Sequence, residues 1–315
     1  MALANFSKVG RQKTMTELLC SQDLTEGIHH ELRWIAAINI LLSFTAFVGN
    51  ATFLVSLKKV SSLHPPSKLL FRTLATTDLC VGIIAQPLTA VALMPEVKQH
   101  IQVCRCVSAI RFLAAYPLCM VSMLTSTAIT VDRLFALSLG LRYRQVVTLK
   151  RTYLAVTFFW VLSIVFTGTS FVSTRVTPWY WFIVVSSSLA ISAFSYAKIF
   201  LLLRHNQNRV NSRVFWQRQQ NQAFGSPNAE VYTKTVFTIL WVQMALFVCY
   251  VPYSIVGLII RKKTSVSIVF IWRCAGTLLF CNSSLNPALY FWKMRAVKIA
   301  VKETIRNTCF FRGCS

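Results

Sequence analysis

A single acidic residue lies in the middle of a long apolar stretch of the sequence. Asp78 follows Leu74-Ala75-Thr76-Thr77, and no Lys or Arg lies within one helical turn of it. A carboxylate in apolar surroundings is costly unless polar groups or a cation neutralise it. Because ionisable residues in such places usually have a function, Asp78 is the first candidate for a functional site.

Polar residues that suit Asp78 as partners occur near the carboxyl end of the chain. Asn282, Asn286 and Tyr290 are spaced four residues apart, so they line one face of a helix. Asn50 and Ser122 are further candidates from other apolar stretches. Oxygen ligands around one carboxylate suit a small hard cation. A water-filled hydrogen-bond network without an ion fits the same residues, and the sequence leaves both open.

Pro287 interrupts this polar helix face. Proline has no backbone N–H, so the helix loses a hydrogen bond at this point. Inside a membrane the freed carbonyl must find another donor. The sequence therefore predicts a kink at Pro287, either a hinge beside the polar residues or a static bend.

A pair of opposite charges, Asp132 and Arg133, lies at the end of another apolar stretch. Arg111 and Arg133 are 22 residues apart in this stretch, or about 33 Å along a helix. This length places the two arginines near opposite rims of a membrane. Adjacent opposite charges can pair or release one another, so Asp132 and Arg133 are candidates for a charge switch at one rim.

Seven apolar stretches must position these residues. The 315-residue chain is 55% hydrophobic and 13% charged, with a mean hydropathy of +0.55, whereas a soluble domain has about 25% charged residues. Each stretch is long enough for a helix to cross about 30 Å of hydrocarbon, and none alternates like a β-barrel strand. The sequence predicts an all-α membrane protein, a seven-transmembrane helix bundle. The predicted spans are 33–57, 68–94, 103–137, 152–172, 179–204, 231–261 and 266–291.

The net charge of +24 follows the predicted topology rather than a nucleic-acid partner. Seven spans place 21 of the 33 Lys and Arg residues on one side, with only three acidic residues, which marks that side as cytoplasmic. The amino terminus is then extracellular. Because residues 1–32 contain no apolar signal segment, the first span is expected to act as the signal anchor. We expect an extracellular tail at 1–32, a seven-span domain at 33–291 and a cytoplasmic tail at 292–315.

Cysteines and one glycosylation motif can be assigned to sides of the membrane. Asn5-Phe6-Ser7 is a glycosylation sequon on the predicted exterior side. Cys309 and Cys314 follow a basic amphipathic segment, so they are candidates for palmitoylation, with free thiols as the plain alternative. Four cysteines at or near the exterior can pair in three ways, and the sequence does not decide among them. These are Cys20, Cys104, Cys106 and Cys274.

Short motifs occur in a fixed order along the spans. They are Gly49-Asn50, Leu74–Asp78, Asp132-Arg133-Leu134, Trp160, Cys249–Tyr253 and Asn282–Tyr290. Their order and their placement in successive spans resemble the rhodopsin-like class of G-protein-coupled receptors. Each motif is short, but the resemblance extends over nearly the whole chain.

The resemblance implies a plasma-membrane receptor that binds an extracellular ligand and activates heterotrimeric G proteins, with arrestin and receptor kinases as further partners. It implies a coupling switch in which Asp132 holds Arg133 at rest and Arg133 faces the G protein when active. The residues of this switch are Asp132, Arg133, Tyr196, Asn286, Pro287 and Tyr290. It also implies an allosteric sodium site, with no other cofactor, formed by Asp78, Ser122, Asn282, Ser283 and Asn286. Residues 293–306 resemble the family's short amphipathic eighth helix, whose basic residues suit anionic membrane lipids.

Several positions depart from the family pattern. Leu134 replaces the usual Tyr of the third-span motif, Tyr250 replaces the usual Trp of the sixth span, and the fifth span has no proline. Ser108 stands where a third-span cysteine is usual, and the loop at 173–178 contains no cysteine. The usual disulfide of the family is therefore absent. These features are similar to the melanocortin, cannabinoid and lysophospholipid branch.

The outer half of the bundle is rich in basic residues, which favours an anionic lipid or small molecule, with a peptide as the other option. Arg111 matches the position at which lysophospholipid receptors grip a phosphate. Tyr116, Tyr250 and Arg273 complete the predicted ligand site. Ala115 replaces the carboxylate of amine receptors. A basic rim can also serve only to anchor lipid headgroups.

Other functions fit the sequence less well. Tyr250 and Leu246 alter the transmission region, so a signalling-silent receptor that acts as a chaperone or decoy is the main alternative. A transporter is less favoured, because the sequence has no inverted repeats, broken helices or charged pore rings. No nucleophile–base or metal-ligand constellation suggests an enzyme.

Overall fold

The computed structural model of the chain describes residues 20, 27–60, 63–94, 100–172, 176–218, 228–260, 265–293 and 299. Side chains are described in these ranges except at 101, 170–172, 176, 206–218, 228–243, 290, 292 and 293. The sequon at Asn5, most of the eighth helix predicted at 293–306, and both Cys309 and Cys314 lie outside the described residues.

Seven long helices make up most of the described chain. They are α1 (His29–Lys59), α2 (Pro65–Leu93), α3 (Ile101–Leu139), α4 (Leu149–Val172), α5 (Val176–Arg218), α6 (Asn228–Ile259) and α7 (Val266–Lys293). A 3-10 turn at Gly140–Arg142 and a short helix at Tyr143–Val146 connect α3 to α4. Each predicted span coincides with one of these helices, apart from a few residues at most ends and 14 further residues at the carboxyl end of α5. The seven-span prediction is confirmed.

The surface of the bundle is apolar. Six of the described helical segments are long and apolar enough to cross a membrane, and Met244–Ile259 of α6 is a shorter apolar segment. Large apolar side chains point outward, with Leu41, Phe44, Leu154 and Phe194 between 61% and 73% exposed. Such side chains are stable against lipid tails rather than water. The chain is a multi-pass membrane protein.

The helices pack into a closed bundle with α3 near the centre. Helix α3 packs against α2, α4 and α5, whereas α1 packs against α2 and α7, and α6 lies between α5 and α7. Buried side chains from α2, α3, α5, α6 and α7 form the largest core cluster, which includes Tyr116, Trp181 and Tyr250. This arrangement brings the polar residues of α2, α3 and α7 to the centre of the molecule.

Helix α1 approaches α7 closely at Gly49. A Cβ atom added to Gly49 would lie 3.0 Å from both Cβ and Cγ of Pro287. Those two atoms belong to a rigid ring, so the contact can be relieved only by moving a helix backbone. Gly49 is therefore required by packing rather than by backbone conformation.

We expect Gly49→Ala to lower the thermal unfolding midpoint of the purified protein by several degrees. Overpacking of a buried contact costs about 1–3 kcal/mol, and each kcal/mol corresponds to about 2–4 °C for a domain of 150–250 residues. Gly168→Ala in α4 is the matched control, since no described atom beyond the local helix backbone lies within 4 Å of the position its Cβ would take. That substitution should be neutral or stabilising, because alanine favours helix. Equal midpoints for the two variants would contradict the packing argument.

Helix α2 contains a π turn at Val81–Ala85. Pro87 lacks the N–H that would bond to the carbonyl of Ile83, so the preceding turn can widen. Ser43 on α1 donates to the carbonyl oxygen of Gly82 at 2.6 Å. Gly82 lies against α1, where an added Cβ would be 3.1 Å from the Ser43 carbonyl oxygen. The π turn is thus held by contact with α1.

A disulfide joins Cys20, ahead of α1, to Cys104 in the first turns of α3. Of the four outer cysteines that the sequence left open, Cys106 and Cys274 are free. The Cys20 sulfur also lies 3.8 Å from the hydroxyl of Ser108, one turn further along α3. The outer end of α3 is therefore attached to the amino-terminal tail, although the usual cysteine pair is absent.

Candidate functional site

Asp78 lies at the centre of a polar cluster in the middle of the bundle and is 0% exposed. Ser122 of α3 and Ser283 of α7 each donate to its Oδ1 at 2.8 Å. Asn286 of α7 donates to its Oδ2 at 2.7 Å. Three side chains from two helices thus converge on one carboxylate, as the sequence predicted for Ser122 and Asn286.

Asn50 binds α7 rather than Asp78. Its Nδ2 donates to the carbonyl oxygen of Ala46 at 2.8 Å and to that of Ser283 at 3.0 Å. Ser283 precedes Pro287 by four residues, so its carbonyl is the one that Pro287 leaves without a helical partner. Asn50 therefore supplies the donor that the sequence required for the freed carbonyl.

Asn282 connects the Asp78 cluster to α6. Its Nδ2 donates to the hydroxyl of Tyr250 at 3.3 Å. Tyr250 is fully buried in the core. The structure thus separates the predicted sodium ligands into Ser122, Ser283 and Asn286, which contact Asp78 directly, and Asn282, which binds Tyr250.

The second polar cluster surrounds Asp132 at the other end of α3. Tyr143 donates to Asp132 Oδ1 at 2.6 Å, and Ser67 of α2 donates to Oδ2 at 2.8 Å. Gly140 ends α3 with a φ of 51°, a conformation that favours glycine. The turn at Gly140 folds the chain back, so that Tyr143 in the following short helix reaches Asp132.

Arg133 is paired with Asp132 through a loose contact. One guanidinium nitrogen, Nη2, lies 3.3 Å from Asp132 Oδ2, but it has no hydrogen bond among the described residues. The guanidinium carbon lies 5.6 Å from the centre of the Phe71 ring on α2. Asp132 is 4% exposed and Arg133 is 41% exposed. The pair is an ion contact at the rim, with a buried anion and an accessible cation.

The other predicted members of the switch are distributed between the two clusters. Tyr196 of α5 accepts a hydrogen bond at 3.1 Å from Thr130, which lies one helical turn before Arg133. Asn286 belongs to the Asp78 cluster, and Pro287, the next residue, packs against Gly49 of α1. The side chain of Tyr290 lies outside the described part of the chain. The switch therefore stays a prediction, with Arg133 engaged by Asp132 and Tyr196 engaged by Thr130.

Aromatic rings and a buried arginine form a third region in the outer half of the bundle. Tyr116 of α3 contacts Trp181 of α5, with ring centres 5.0 Å apart, and Trp181 lies 5.8 Å from Tyr253 of α6. Tyr253 stacks on Trp272 of α7 at 5.7 Å. Arg111 lies near Tyr253. We call Tyr116, Trp181, Tyr250, Tyr253 and Trp272 the aromatic cluster.

Several donors in this region have no partner among the described residues. They are the Nε of Arg111, the hydroxyl of Tyr116 and the indole N–H groups of Trp181 and Trp272. Arg273 lies close enough to Arg111 for the two charges to repel. Of the predicted ligand residues, Tyr116 and Tyr250 belong to the aromatic cluster, Arg111 adjoins it through Tyr253, and Arg273 lies in electrostatic range of Arg111.

Sequence reasoning missed five residues of these regions. Trp181, Tyr253 and Trp272 are apolar aromatic residues in apolar spans, and only the one-turn spacing of Tyr253 from Tyr250 signals a shared face. Ser67 and Tyr143 carry no signal in the sequence, because their contact with Asp132 depends on the turn at Gly140.

Comparison with known proteins agrees with this arrangement. Residues 49–179, which contain Asp78, Arg111 and Arg133, match the family described as 7 transmembrane receptor (rhodopsin family). Adenosine receptor A3 of Ovis aries is 24% identical over 287 residues, covering 83% of this chain and 86% of that receptor. Trace amine-associated receptor 6 of Pan troglodytes is 21% identical over 292 residues, covering 84% of each chain. Trace amine-associated receptor 9 of Homo sapiens is 20% identical over 291 residues, covering 84% and 83%.

The chain is therefore similar to the rhodopsin family of seven-transmembrane receptors.

The matched family and these relatives are membrane receptors, in agreement with the seven-helix bundle. The branch inferred from the sequence is a separate matter. The relatives named above are adenosine and trace amine-associated receptors, so the likeness to melanocortin, cannabinoid and lysophospholipid receptors stays a prediction.

Proposed function

We propose that this receptor binds an anionic extracellular ligand at Arg111 and the aromatic cluster, and activates heterotrimeric G proteins through Arg133. The observation that supports an anionic ligand is that the unpartnered groups of this region are hydrogen-bond donors. Arg111 Nε, Tyr116 OH, Trp181 Nε1 and Trp272 Nε1 can all donate hydrogen bonds. A ligand rich in acceptors complements such a region.

A negative charge on the ligand is favoured by Arg111. A desolvated guanidinium is costly without an opposite charge, and a carboxylate or phosphate accepts from its fork in two parallel bonds. The nearby rings suit an apolar ligand body, since aromatic side chains offer large contact areas. An amphiphilic anion, such as a lysophospholipid or a fatty acid, combines both properties.

A cationic amine is disfavoured as the ligand, although two of the relatives are named for trace amines. Ala115 occupies the place of the amine-binding carboxylate. A cation would also face the repulsion that already exists between Arg111 and Arg273. The charge of the region therefore favours the opposite sign of ligand.

The proposed coupling end is the rim that contains Asp132 and Arg133. The excess of basic residues on this side makes it the cytoplasmic side, with the amino terminus extracellular. The exposed guanidinium of Arg133 is available to a G protein once it leaves Asp132. Arrestin, receptor kinases and anionic membrane lipids are proposed partners of the same face.

A ligand screen with a G-protein dissociation readout tests this proposal. Lysophosphatidic acid, oleate and a panel of small carboxylates are compared with amines and neutral amides across all four G-protein classes. Activation by anions alone is the expected result. Activation by amines alone would overturn the ligand class. A surface-expressed receptor with no basal or induced coupling to any class would favour the silent chaperone or decoy, and uptake of a labelled probe would favour a transporter.

We also propose a sodium ion as an allosteric modulator at Asp78. Ser122, Ser283 and Asn286 surround this carboxylate with hydroxyl and amide groups that include oxygen ligands, which suit a hard cation. No Lys or Arg is among the described hydrogen-bond partners of Asp78. A monovalent cation would neutralise the charge without displacing all three donors.

Sodium should therefore lower basal G-protein activation of the wild-type receptor and raise its unfolding midpoint. Asp78→Asn should remove both effects, since the amide retains polar contacts but carries no charge. Measurements at low and at about 0.15 M sodium would use an organic cation to keep the ionic strength constant. A wild-type receptor that is indifferent to sodium would mean that the cluster is only a hydrogen-bond network.

A further inference from the structure

A second set of unpartnered polar atoms lies between α1, α2 and α7. Gln86 of α2 is 0% exposed, and neither its Nε2 nor its Oε1 has a partner among the described residues. Asn39 of α1 donates to the Ile35 carbonyl oxygen at 2.8 Å and to Thr277 of α7 at 2.9 Å. Its Oδ1 is buried without a partner in the described part of the chain. Buried polar atoms of native proteins are nearly always paired, so these three require an explanation.

The π turn of α2 directs Gln86 toward the bundle interior. Eight residues of regular α-helix would turn Gln86 about 80° away from the face of Asp78. The wider turn at Val81–Ala85 contains an extra residue and offsets much of this rotation. Both side chains are accordingly fully buried. A π turn that places an unpaired amide in the interior is typical of a functional position.

Gln86, Asn39 and Thr277 lie at one depth. An apolar cluster further out joins Ile35 of α1, Ala90 of α2 and Cys274 of α7. Asn39 lies four residues inward of Ile35, Gln86 lies four inward of Ala90, and Thr277 lies three inward of Cys274. Residues three or four apart occupy successive turns of the same helix face. The three polar side chains therefore form one layer beneath the apolar cluster.

This layer lies next to the core cluster on one side and to Arg273 on the other. Ala85, the residue before Gln86, packs in the core cluster that contains Tyr116. Thr277 also donates to the carbonyl oxygen of Arg273 at 3.1 Å. A ligand that occupies the outer half of the bundle can thus extend one group to Gln86.

From these contacts we infer that Gln86 and Asn39 form a binding subsite for a neutral group that both donates and accepts hydrogen bonds. The subsite offers one amide donor and two carbonyl-type acceptors, a combination that a carboxamide complements. The described layer contains no charged side chain, and an anion would face the oxygens of Gln86 and Asn39. The natural ligand then bears a carboxamide-like group, and this inference holds whether or not Arg111 binds an anion.

Acetamide is the minimal probe for this subsite, and acetone, which accepts but cannot donate, is its matched control. The thermal unfolding midpoint of the full-length receptor in lipid nanodiscs is measured with either compound at a few hundred millimolar, since so small a ligand binds weakly. Acetamide should raise the wild-type midpoint by about 3–6 °C more than acetone, as expected when its concentration is about ten times its Kd. Gln86→Leu and Gln86→Met should both lose this difference.

Thr89→Val is the control for loss of a buried polar group on the same helix. The Thr89 hydroxyl already donates to the Ala85 carbonyl oxygen at 2.7 Å, so the acetamide effect should survive. It should also survive in Arg111→Ala, which separates this inference from the anionic-ligand proposal. Equal wild-type midpoints in acetamide and acetone would overturn the inference and assign the layer to ordered water. An acetamide effect that persists in both Gln86 variants would overturn it as well.

Discussion

Arg133→Ala should abolish G-protein activation while the receptor still reaches the cell surface. The guanidinium is 41% exposed, and the buried Asp132 keeps its hydrogen bonds from Tyr143 and Ser67 when Arg133 is removed. Folding therefore depends little on Arg133. A G protein that accepts this cation in a desolvated interface loses about 2–5 kcal/mol when the cation is removed. Such a loss is at least about 30-fold in coupling.

Asp132→Asn is the informative counterpart, because it removes the opposite partner of the same pair. Asparagine can still bind Tyr143 and Ser67, but it no longer attracts Arg133. Basal activity should rise in Asp132→Asn and vanish in Arg133→Ala. The assay is G-protein dissociation, normalised to surface receptor counted through an epitope in the amino-terminal tail. Wild-type coupling by Arg133→Ala would refute the switch, and loss of surface receptor would show that Arg133 is structural.

The helices and the centre of the bundle follow directly from the sequence. The length of each apolar stretch fixes seven spans, because only helices satisfy their backbone groups within a single segment in lipid. The partners of Asp78 are predictable, since Asn286 shares a helix face with few other polar residues. The bond from Asn50 to the Ser283 carbonyl is likewise a consequence of Pro287, which leaves that carbonyl without a helical partner.

Contacts that depend on turns or on distant segments do not follow from the sequence. The disulfide between Cys20 and Cys104 joins residues 84 positions apart, and helix periodicity gives no information on which of the four outer cysteines meet. Tyr143 reaches Asp132 only because Gly140 adopts a positive φ. Gln86 faces inward only because of the π turn, whereas a regular helix would rotate it away.

The aromatic cluster illustrates why apolar functional residues are difficult to predict. In the sequence, Trp181 and Trp272 look the same as tryptophans that face lipid, and only their packing in the structure distinguishes them. Trp181 is 4% exposed and Trp272 is 6% exposed, whereas Trp34 is 62% exposed. Charged residues are easier, because a cation such as Arg111 is expensive in any membrane span and so attracts attention on its own.

Among the residues in the outer half of the bundle, Arg111 should have the largest effect on ligand affinity. Its Nε is buried without a hydrogen bond in the described structure, and the Tyr253 side chain lies within its electrostatic range. An anionic group on the ligand would satisfy the guanidinium in a two-bond contact. Arg111→Ala should therefore weaken an anionic agonist by about 30-fold to several-thousand-fold, which corresponds to about 2–5 kcal/mol.

Arg111→Lys distinguishes a directed contact from general positive charge. Lysine retains the charge, but a single ammonium cannot reproduce the planar fork of the guanidinium. Most of the affinity should therefore be lost in this variant too. Arg105→Ala is the control on the same helix, since Arg105 is exposed and lies toward the outer end of α3. Arg105→Ala should change agonist potency only slightly, and this change should be larger at low salt.

The disulfide between Cys20 and Cys104 attaches the outer end of α3 to the amino-terminal tail and so makes this experiment sharper. With α3 attached to the tail two turns from Arg111, substitutions should act on the contact and leave the position of the helix unchanged. Agonist potency on wild type, Arg111→Lys, Arg111→Ala and Arg105→Ala is then a direct comparison of side chains. If all four receptors respond with equal potency, Arg111 serves only to anchor α3 at the headgroup layer, and the ligand must be recognised elsewhere in the bundle.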